Sequence, residues 1–247
     1  MEVHHHSHTA RKKWTHYFWE FLMLFLAVFC GFMAENQREH MIEHRREKEY
    51  MRSLIEDLQT DTANLNDNML LGQVVKTRLE NLVSFLNNES SKDSAVQLYK
   101  LNNQVGRVVN VNFEDRTSSQ LKNGGNMRLI RNKAVADSIR SYWGDIKTME
   151  DISSRLDDLR SKAVDIQAQI IHNKYIKILD PLDPIHSDIL ISPGAKLINN
   201  DPELLALYSN KRQFTLAVLN NYIRGMKYVK SNATRLATFI KKEYHLE

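Results

Sequence analysis

The chain has 247 residues, of which only 8 are Gly and 4 are Pro, so it offers few sites for tight turns and favours long helices over a sheet. Charged residues make up 26% of the chain with a net charge of +4, and both signs are interleaved along most of its length, which is typical of solvated helix faces and argues against a nucleic-acid groove. The single cysteine, Cys30, lies in an apolar run, which excludes a disulfide framework and a cysteine-based metal site.

The first predicted element is a flexible tail at residues 1–13, which is rich in histidine and ends in basic residues. Its histidines can bind a metal, but a flexible native tail or an interrupted expression tag explains them as well: His4, His5, His6 and His8. The tail therefore predicts no chemistry.

Residues 14–34 read WTHYFWEFLMLFLAVFCGFMA, which is long and apolar enough for one bilayer-spanning helix. A set of aromatic and cationic residues at its start is typical of a membrane interface: Lys12, Lys13, Trp14, Tyr17 and Trp19. A cleaved signal peptide is one alternative, but its apolar region is usually shorter, and bulky Phe32 stands where cleavage after Ala34 needs a small residue. Lipoprotein processing at Cys30 is another, which Phe29 disfavours. We therefore expect an uncleaved membrane anchor.

Helical periodicity divides this span into two faces. One face is small or polar and contains Glu20, Leu24, Ala27, Gly31 and Ala34, whereas the opposite face contains Phe18, Leu22, Phe25, Phe29 and Phe32. Small residues admit a neighbouring helix and bulky ones meet lipid, so we expect the span to self-associate or to dock onto another membrane protein. An intramembrane acid is a candidate for ion coupling, but Glu20 lies less than two turns from Trp14, which favours an interfacial or helix-pairing role.

The orientation of the span depends on the basic residues that flank it. Both flanks carry basic residues close enough to the span to influence its orientation: Arg11, Lys12 and Lys13 before the span, and Arg38, Arg45, Arg46 and Lys48 after it. The first group lies directly against the start of the span. We therefore predict that the N-terminus is inside and that most of the chain lies in a periplasm.

Residues 35–50 are charged on all sides and are predicted to continue the span as a juxtamembrane stalk helix, with pairs such as Glu35 to Arg38 and Arg45 to Glu49. The stalk also contains an H-x-x-E-H motif, the signature of inverted zinc peptidases: His40, Glu43 and His44. The motif is short and has no pocket-forming domain around it. Adventitious metal binding is the better interpretation, so we assign no catalytic residue and no metal site.

Residues 51–247 are predicted to form a helical bundle. Apolar residues recur at about 3.5-residue spacing from Met51 to Leu86, with Thr62 and Gln73 among the core positions. After a polar break at residues 87–94, a short helix is expected from Ala95 to Val105, and residues 108–113 alternate as in a brief extended segment. A turn then follows at residues 123–126, where two glycines end a helix.

Two further apolar seams, from Val135 to Ile170 and from Leu205 to Ile240, predict long amphipathic helices. Adjacent Tyr142 and Trp143 are interpreted as core and boundary residues. A proline-rich loop at about residues 179–200 separates the helices and holds residues that we interpret as solvated turn residues and not as metal ligands: Asp180, Asp183, His186 and Asp188. The predicted fold is all-α, with an N-terminal transmembrane helix continuing into an elongated antiparallel bundle with coiled-coil-like seams.

The stretches HYFWEFLMLFLAVFCGFMAENQREHMIEHRREKEYMRSLIEDLQTD and QLKNGGNMRLIRNK resemble an uncharacterised family of bacterial single-pass membrane proteins. Members of that family share the N-terminal anchor, the charged juxtamembrane helix and the helical remainder, so the resemblance spans most of the chain. It implies a Gram-negative cytoplasmic membrane and a native histidine-rich start. The family carries no assigned activity, and no catalytic or binding residue follows from it.

The sequence thus predicts a non-enzymatic, membrane-tethered helical protein that scaffolds, senses or assembles, without a cofactor. Its expected partners are the lipid bilayer and a second copy of the chain or another membrane protein, and no nucleic acid. An accessory subunit of an ion-driven membrane complex that uses Glu20 is the alternative. A zinc metallopeptidase acting through residues 40–44 is a distant third.

Overall fold

The computed structural model describes residues 14–88, 94–105, 109–179 and 189–246, which form an all-α fold as predicted. Its helices are α1 (Trp14–Asn87), α2 (Ala95–Gln104), α3 (Arg116–Asn123), α4 (Lys133–Ile170) and α5 (Pro202–Tyr244). Two short strands, β1 (Ile176–Ile178) and β2 (Ile189–Ile191), pair antiparallel with Ile176 opposite Ile191. The chain divides into two compact units, Met1–Tyr50 and Met51–Glu247, which are described separately.

Helix α1 is 74 residues long and contains no proline, so nothing in its sequence interrupts the backbone hydrogen bonds. It includes the predicted span, the predicted stalk and the first seam of the bundle. In the first unit, Arg38 Nε donates to Glu35 Oε2 at 2.9 Å, as the spacing predicted. No ion pair joins Arg45 and Glu49 within residues 14–88.

In the second unit, α4 and α5 are antiparallel. Asn132, just before α4, donates to Glu243 near the end of α5 at 2.8 Å, and Arg212 near the start of α5 donates to Gln167 near the end of α4. The part of α1 from Met51 onwards also runs antiparallel to α5, because Lys230 donates to Asn66 and Ser209 donates to Asn87. The three long helices and α2 bury a common core whose largest members include Met51, Leu65, Leu82, Tyr99, Ile139, Met149, Tyr208 and Tyr222.

Local sequence signals fix where the helices begin and end. The Asn132 side chain accepts from Val135 N and begins α4, and Asp201 accepts from Glu203 N and begins α5 with Pro202 in the first turn. After α3, Gly125 has a φ of 62°, a left-handed conformation that disfavours side chains, which agrees with the predicted helix-ending turn. Helix α1 ends at Asn87 and α2 begins at Ala95, at the two edges of the predicted polar break, of which residues 89–93 lie outside the described part of the chain.

Two details of the sequence interpretation are wrong. Gln73 is exposed, while Gly72 and Val75 beside it are buried. Thr62 is only half-buried, and the buried residue of that turn is Asp61, at 1% exposure. A 3.5-residue pattern drifts relative to a straight helix, which moves the buried stripe by one position over a few turns. The described part of the predicted extended segment, residues 109–113, lies in neither a helix nor a strand, so a brief extended stretch there stays a prediction.

Candidate functional site

The predicted span lies in the first unit, and α1 is the one helix in the described residues that is long and apolar enough to cross a bilayer, with a mean hydropathy of 1.9 over an 18-residue window. Its predicted helix-packing residues are all exposed: Glu20, Leu24, Ala27, Gly31 and Ala34. A Cβ atom added at Gly31 would meet nothing within 4 Å, so the backbone there is open to an approaching helix. The predicted interface anchors Trp14, Tyr17 and Trp19 are exposed, whereas Lys12 and Lys13 lie outside the described residues.

Aromatic rings line the opposite face of the span. The rings of Phe21 and Phe25 are 6.3 Å apart between centroids, and those of Phe25 and Phe29 are 6.0 Å apart. Both pairs are stacked, as side chains four residues apart on one helix face can be. The span therefore has one face covered by a column of rings and one face where the backbone is accessible.

The histidines of the H-x-x-E-H motif each lie beside a glutamate one turn further along α1. His40 Nδ1 is 3.6 Å from Glu43 Oε2, and His44 Nδ1 is 3.3 Å from Glu47 Oε2. The described residues contain no group of three or more His, Cys, Asp or Glu side chains placed to hold a metal ion. The predicted weak candidates His40, Glu43 and His44 thus form local contacts along the helix, while the tail histidines and Asp180, Asp183, His186 and Asp188 lie outside the described residues.

Two buried aspartates organise the second unit. Asp57 and Asp61 are one turn apart on α1 and are 2% and 1% exposed. Asp57 accepts from Thr117 N at 3.0 Å and from Arg116 Nη2 at 2.6 Å, so its carboxylate caps the start of α3 from another helix. Asp61 accepts from Glu114 N at 2.8 Å. The two carboxylates therefore hold residues 114–117 against α1.

Asp61 also binds α4, because the Tyr142 hydroxyl donates to its Oδ2 at 2.7 Å. Burial raises the pKa of Asp61 to about 6, although its hydrogen bonds with Tyr142 and Glu114 N lower it. Burial and the neighbouring Asp61 carboxylate raise the pKa of the Tyr142 hydroxyl, so this tyrosine stays protonated and remains a donor. The charge of Asp61 therefore depends on pH close to neutrality.

The same segment contacts α5 and borders a cleft. Val111 N donates to the Tyr222 hydroxyl at 3.2 Å. A cleft of about 390 Å³ lies between residues 110–118 and α4, with Trp143 and Lys122 among its lining residues. Lys122 Nζ lies 4.3 Å from the centroid of the Trp143 ring. Tyr142 is buried and Trp143 is half-buried, which agrees with core and boundary roles.

A second polar cluster, here called the Arg212 cluster, consists of Asn102, Gln167, Tyr208 and Arg212. Arg212 is 2% exposed, and its guanidinium donates to the Tyr208 hydroxyl at 2.9 Å and to Gln167 Oε1 at 2.8 Å. The Tyr208 hydroxyl in turn donates to Asn102 Oδ1. Burial raises the pKa of Tyr208, although Arg212 lowers it, so this tyrosine is neutral and leaves the guanidinium charge in place. Asn102 Nδ2 is buried without a partner in the described residues.

Sequence interpretation missed both clusters. The only signal was a pair of aspartates four residues apart inside an apolar stripe, and an arginine between Tyr208 and Leu219 in the last seam. Their partners are far away in sequence: Asp61 and Tyr142 are separated by 81 residues, and Arg212 and Gln167 by 45. Periodicity alone cannot show such contacts.

The hydrogen bonds of both clusters join separate segments of the bundle: α1 to α4 and to residues 114–117 in the first, and α2, α4 and α5 in the second. Comparisons with family models, with curated proteins and with solved structures find no match. The resemblance to the bacterial single-pass family therefore stays a prediction from the sequence.

Proposed function

We propose that this chain is a non-enzymatic assembly protein, tethered to a bacterial cytoplasmic membrane by its N-terminal helix. The span associates with a second copy of itself through the face formed by Glu20, Leu24, Ala27, Gly31 and Ala34. The helical bundle is the part that contacts other components.

The observation that carries this proposal is the difference between the two faces of the span. Gly31 leaves open space above the backbone, whereas the stacked rings of Phe25 and Phe29 lie on the opposite face. Association of helices in a bilayer is driven by close backbone approach and van der Waals packing, because lipid tails are as apolar as the side chains. Small residues allow that approach, and ring-covered faces do not.

Disulfide trapping within native membranes tests the proposal. In a Cys30→Ser background, Ala27→Cys and Gly31→Cys place a thiol on the small face, while Phe25→Cys and Phe29→Cys place it on the aromatic face. Oxidation is expected to yield covalent dimers of the chain from the first pair of variants and little from the second. Equal yields of covalent dimer from both faces, or no dimer from either face, would contradict the proposal. A disulfide to a different protein would show that the span associates with that protein and not with a second copy of the chain.

The proposed topology places the N-terminus in the cytoplasm and the bundle in the periplasm, as the tight basic cluster before Trp14 predicts. Ser154 is exposed on α4, so a Ser154→Cys change in the same background offers a thiol on the bundle surface. A membrane-impermeant maleimide is expected to label it once the outer membrane is permeabilised. Labelling that appears only after disruption of the inner membrane would show that the bundle lies in the cytoplasm, which contradicts the proposed orientation.

The alternative function is an accessory subunit of an ion-driven membrane complex. It rests on Glu20, an exposed acid on the same face as Ala27 and Gly31. Glu20→Gln keeps the size of the side chain and removes its charge. If this change abolishes the cellular phenotype while covalent dimers still form, ion coupling is favoured over helix packing; if the phenotype persists and Gly31→Ile disrupts assembly, helix packing is favoured.

A further inference from the structure

Residues 109–117, here called the strap, lead from the segment after α2 into the first turn of α3. Among the described residues, no backbone-to-backbone hydrogen bond holds residues 109–114. Their backbone is bound instead by the side chains of Asn64 and Asp61 from α1 and of Tyr222 from α5. A backbone without ladder hydrogen bonds can open locally when such ties weaken. The docking of the strap therefore depends on a few side chains of the helices.

The docked strap covers apolar surface of the bundle. Val109 and Val111 are 4% and 7% exposed, so both side chains would meet water if the strap were released. The strap also forms one wall of the cleft beside Trp143. Release of the strap would therefore uncover apolar surface and open that cleft.

Asp61 is the tie whose charge is not compensated. The other buried carboxylate that binds the strap, Asp57, is paired with Arg116 at 2.6 Å, whereas no cation pairs with Asp61 among the described residues. Both donors to Asp61 are uncharged, namely the backbone N–H of Glu114 and the hydroxyl of Tyr142. A buried carboxylate without an opposite charge favours either uptake of a proton or exposure to water.

The titratable and charged groups on the elements around Asp61 are mainly acidic. They are Glu56 and Asp57 on α1, Glu114, Asp115 and Arg116 in the strap, Tyr142 and Asp145 on α4, and Tyr222 and Lys230 on α5. Of the two cations, Arg116 is bound to Asp57, and Lys230 donates to Asn66. Burial, and after it the carboxylates of Asp57 and Glu114, raise the pKa of Asp61 to about 6, although its hydrogen bonds lower it.

We propose that the strap is a pH-sensitive latch, which stays docked while Asp61 holds a proton and is released more often once Asp61 has lost it. In the released form water solvates the carboxylate, so its pKa returns towards the ordinary value of 3.8 and the proton is bound more weakly than in the docked form. Release is therefore coupled to the loss of one proton, and the released fraction rises with pH between about 3.8 and about 6. Acid keeps the apolar surface covered.

Native-state hydrogen exchange of the full chain in nonionic detergent tests this proposal. Deuterium uptake is followed by mass spectrometry in peptides from residues 109–117 and, for comparison, from residues 216–226 of α5, with each rate divided by the intrinsic rate at the same pH. The strap is expected to exchange faster than residues 216–226 and to be insensitive to low urea, because a local release exposes little surface. From about pH 5 to about pH 7 its opening constant should rise about tenfold and then level off.

Two substitutions of aspartate on α1 separate this effect from general destabilisation. Asp61→Asn should remove the rise, because asparagine does not ionise, whereas Asp67→Asn, at an exposed position, should keep it. If Asp61→Asn fails to fold, Tyr142→Phe gives the deciding measurement. It removes a hydrogen bond that lowers the pKa of Asp61, so the rise should extend to higher pH, and an unchanged profile would count against the latch.

Three outcomes in the wild type and in Asp61→Asn would overturn the proposal. The first is that the strap exchanges at the rate and with the urea dependence of residues 216–226, which would mean that it opens only when the whole bundle unfolds. The second is that the opening constant of the strap does not change with pH. The third is that Asp61→Asn shows the same rise as the wild type.

Discussion

Replacing Asp61 by asparagine is expected to remove a pH dependence from the stability of the bundle. Burial raises the pKa of this acid from an ordinary value of 3.8 to about 6 in the folded chain, so the native state binds the proton more tightly than the unfolded state does. The resulting contribution to the free energy of unfolding is complete below about pH 3.8 and is lost as the pH rises through about 6.

The size of the effect follows from the difference between the two pKa values. Each pKa unit corresponds to about 1.4 kcal/mol, so the wild-type chain should lose about 2 to 3 kcal/mol between about pH 4 and about pH 7.5 through this group alone. Asparagine does not ionise. Its amide still offers an acceptor for Glu114 N and a donor for the Tyr142 oxygen, so the contacts of Asp61 are retained in kind.

Urea unfolding of the full chain in nonionic detergent measures this difference. Trp14→Phe and Trp19→Phe leave Trp143 as the remaining tryptophan, and its fluorescence then reports unfolding of the bundle. The pH profile of Asp61→Asn is subtracted from that of the wild type, which cancels the other titrating groups. Asp67→Asn, an exposed aspartate on the same helix, serves as the control and should follow the wild type. Parallel profiles for wild type and Asp61→Asn would refute the reasoning.

Three more substitutions are tested with the same unfolding assay, and the third also with amide hydrogen exchange. Gly144→Ala should raise the free energy of unfolding by about 0.5–1 kcal/mol, because a Cβ there meets nothing within 4 Å and alanine is the better helix former. Gly225→Ala should lower the free energy of unfolding by about 1–3 kcal/mol, because a Cβ there would lie 2.6 Å from the Sδ atom of buried Met149. If Gly144→Ala and Gly225→Ala changed the free energy of unfolding equally, both predictions would be contradicted. Tyr222→Phe should cost about 1–3 kcal/mol and speed exchange of the Val111 amide, which loses its acceptor, so unchanged exchange would count against this contact.

Local and periodic features of the fold were predictable from the sequence. The start of α4 at Lys133, after Asn132, and the start of α5 at Pro202, after Asp201, follow from capping residues next to an apolar seam. The long α1 follows from an apolar run that passes into charged and then amphipathic sequence without a proline. These signals act over a few residues, so one sequence is sufficient to read them.

Features that depend on distant partners were not predictable. The sequence shows Asp61 as one of several aspartates, and its burial depends on Tyr142 and on the backbone of Glu114. Strands β1 and β2 have three residues each, which is too short for an alternating pattern to stand out. The Arg212 cluster likewise joins residues from α2, α4 and α5.

The attachment of residues 109–117 also has a consequence for the order of folding. Val111 binds Tyr222 across 111 positions of the chain, and the neighbouring Asn112 carbonyl accepts from Asn64, 48 positions earlier. Closing such long loops is entropically costly, so these contacts form after the local helices. During synthesis, this segment has no complete set of partners until the last helix has left the ribosome. The wall of the cleft beside Trp143 that Val111 forms is therefore fixed only after α5 has docked, and ordering of this segment marks the end of folding.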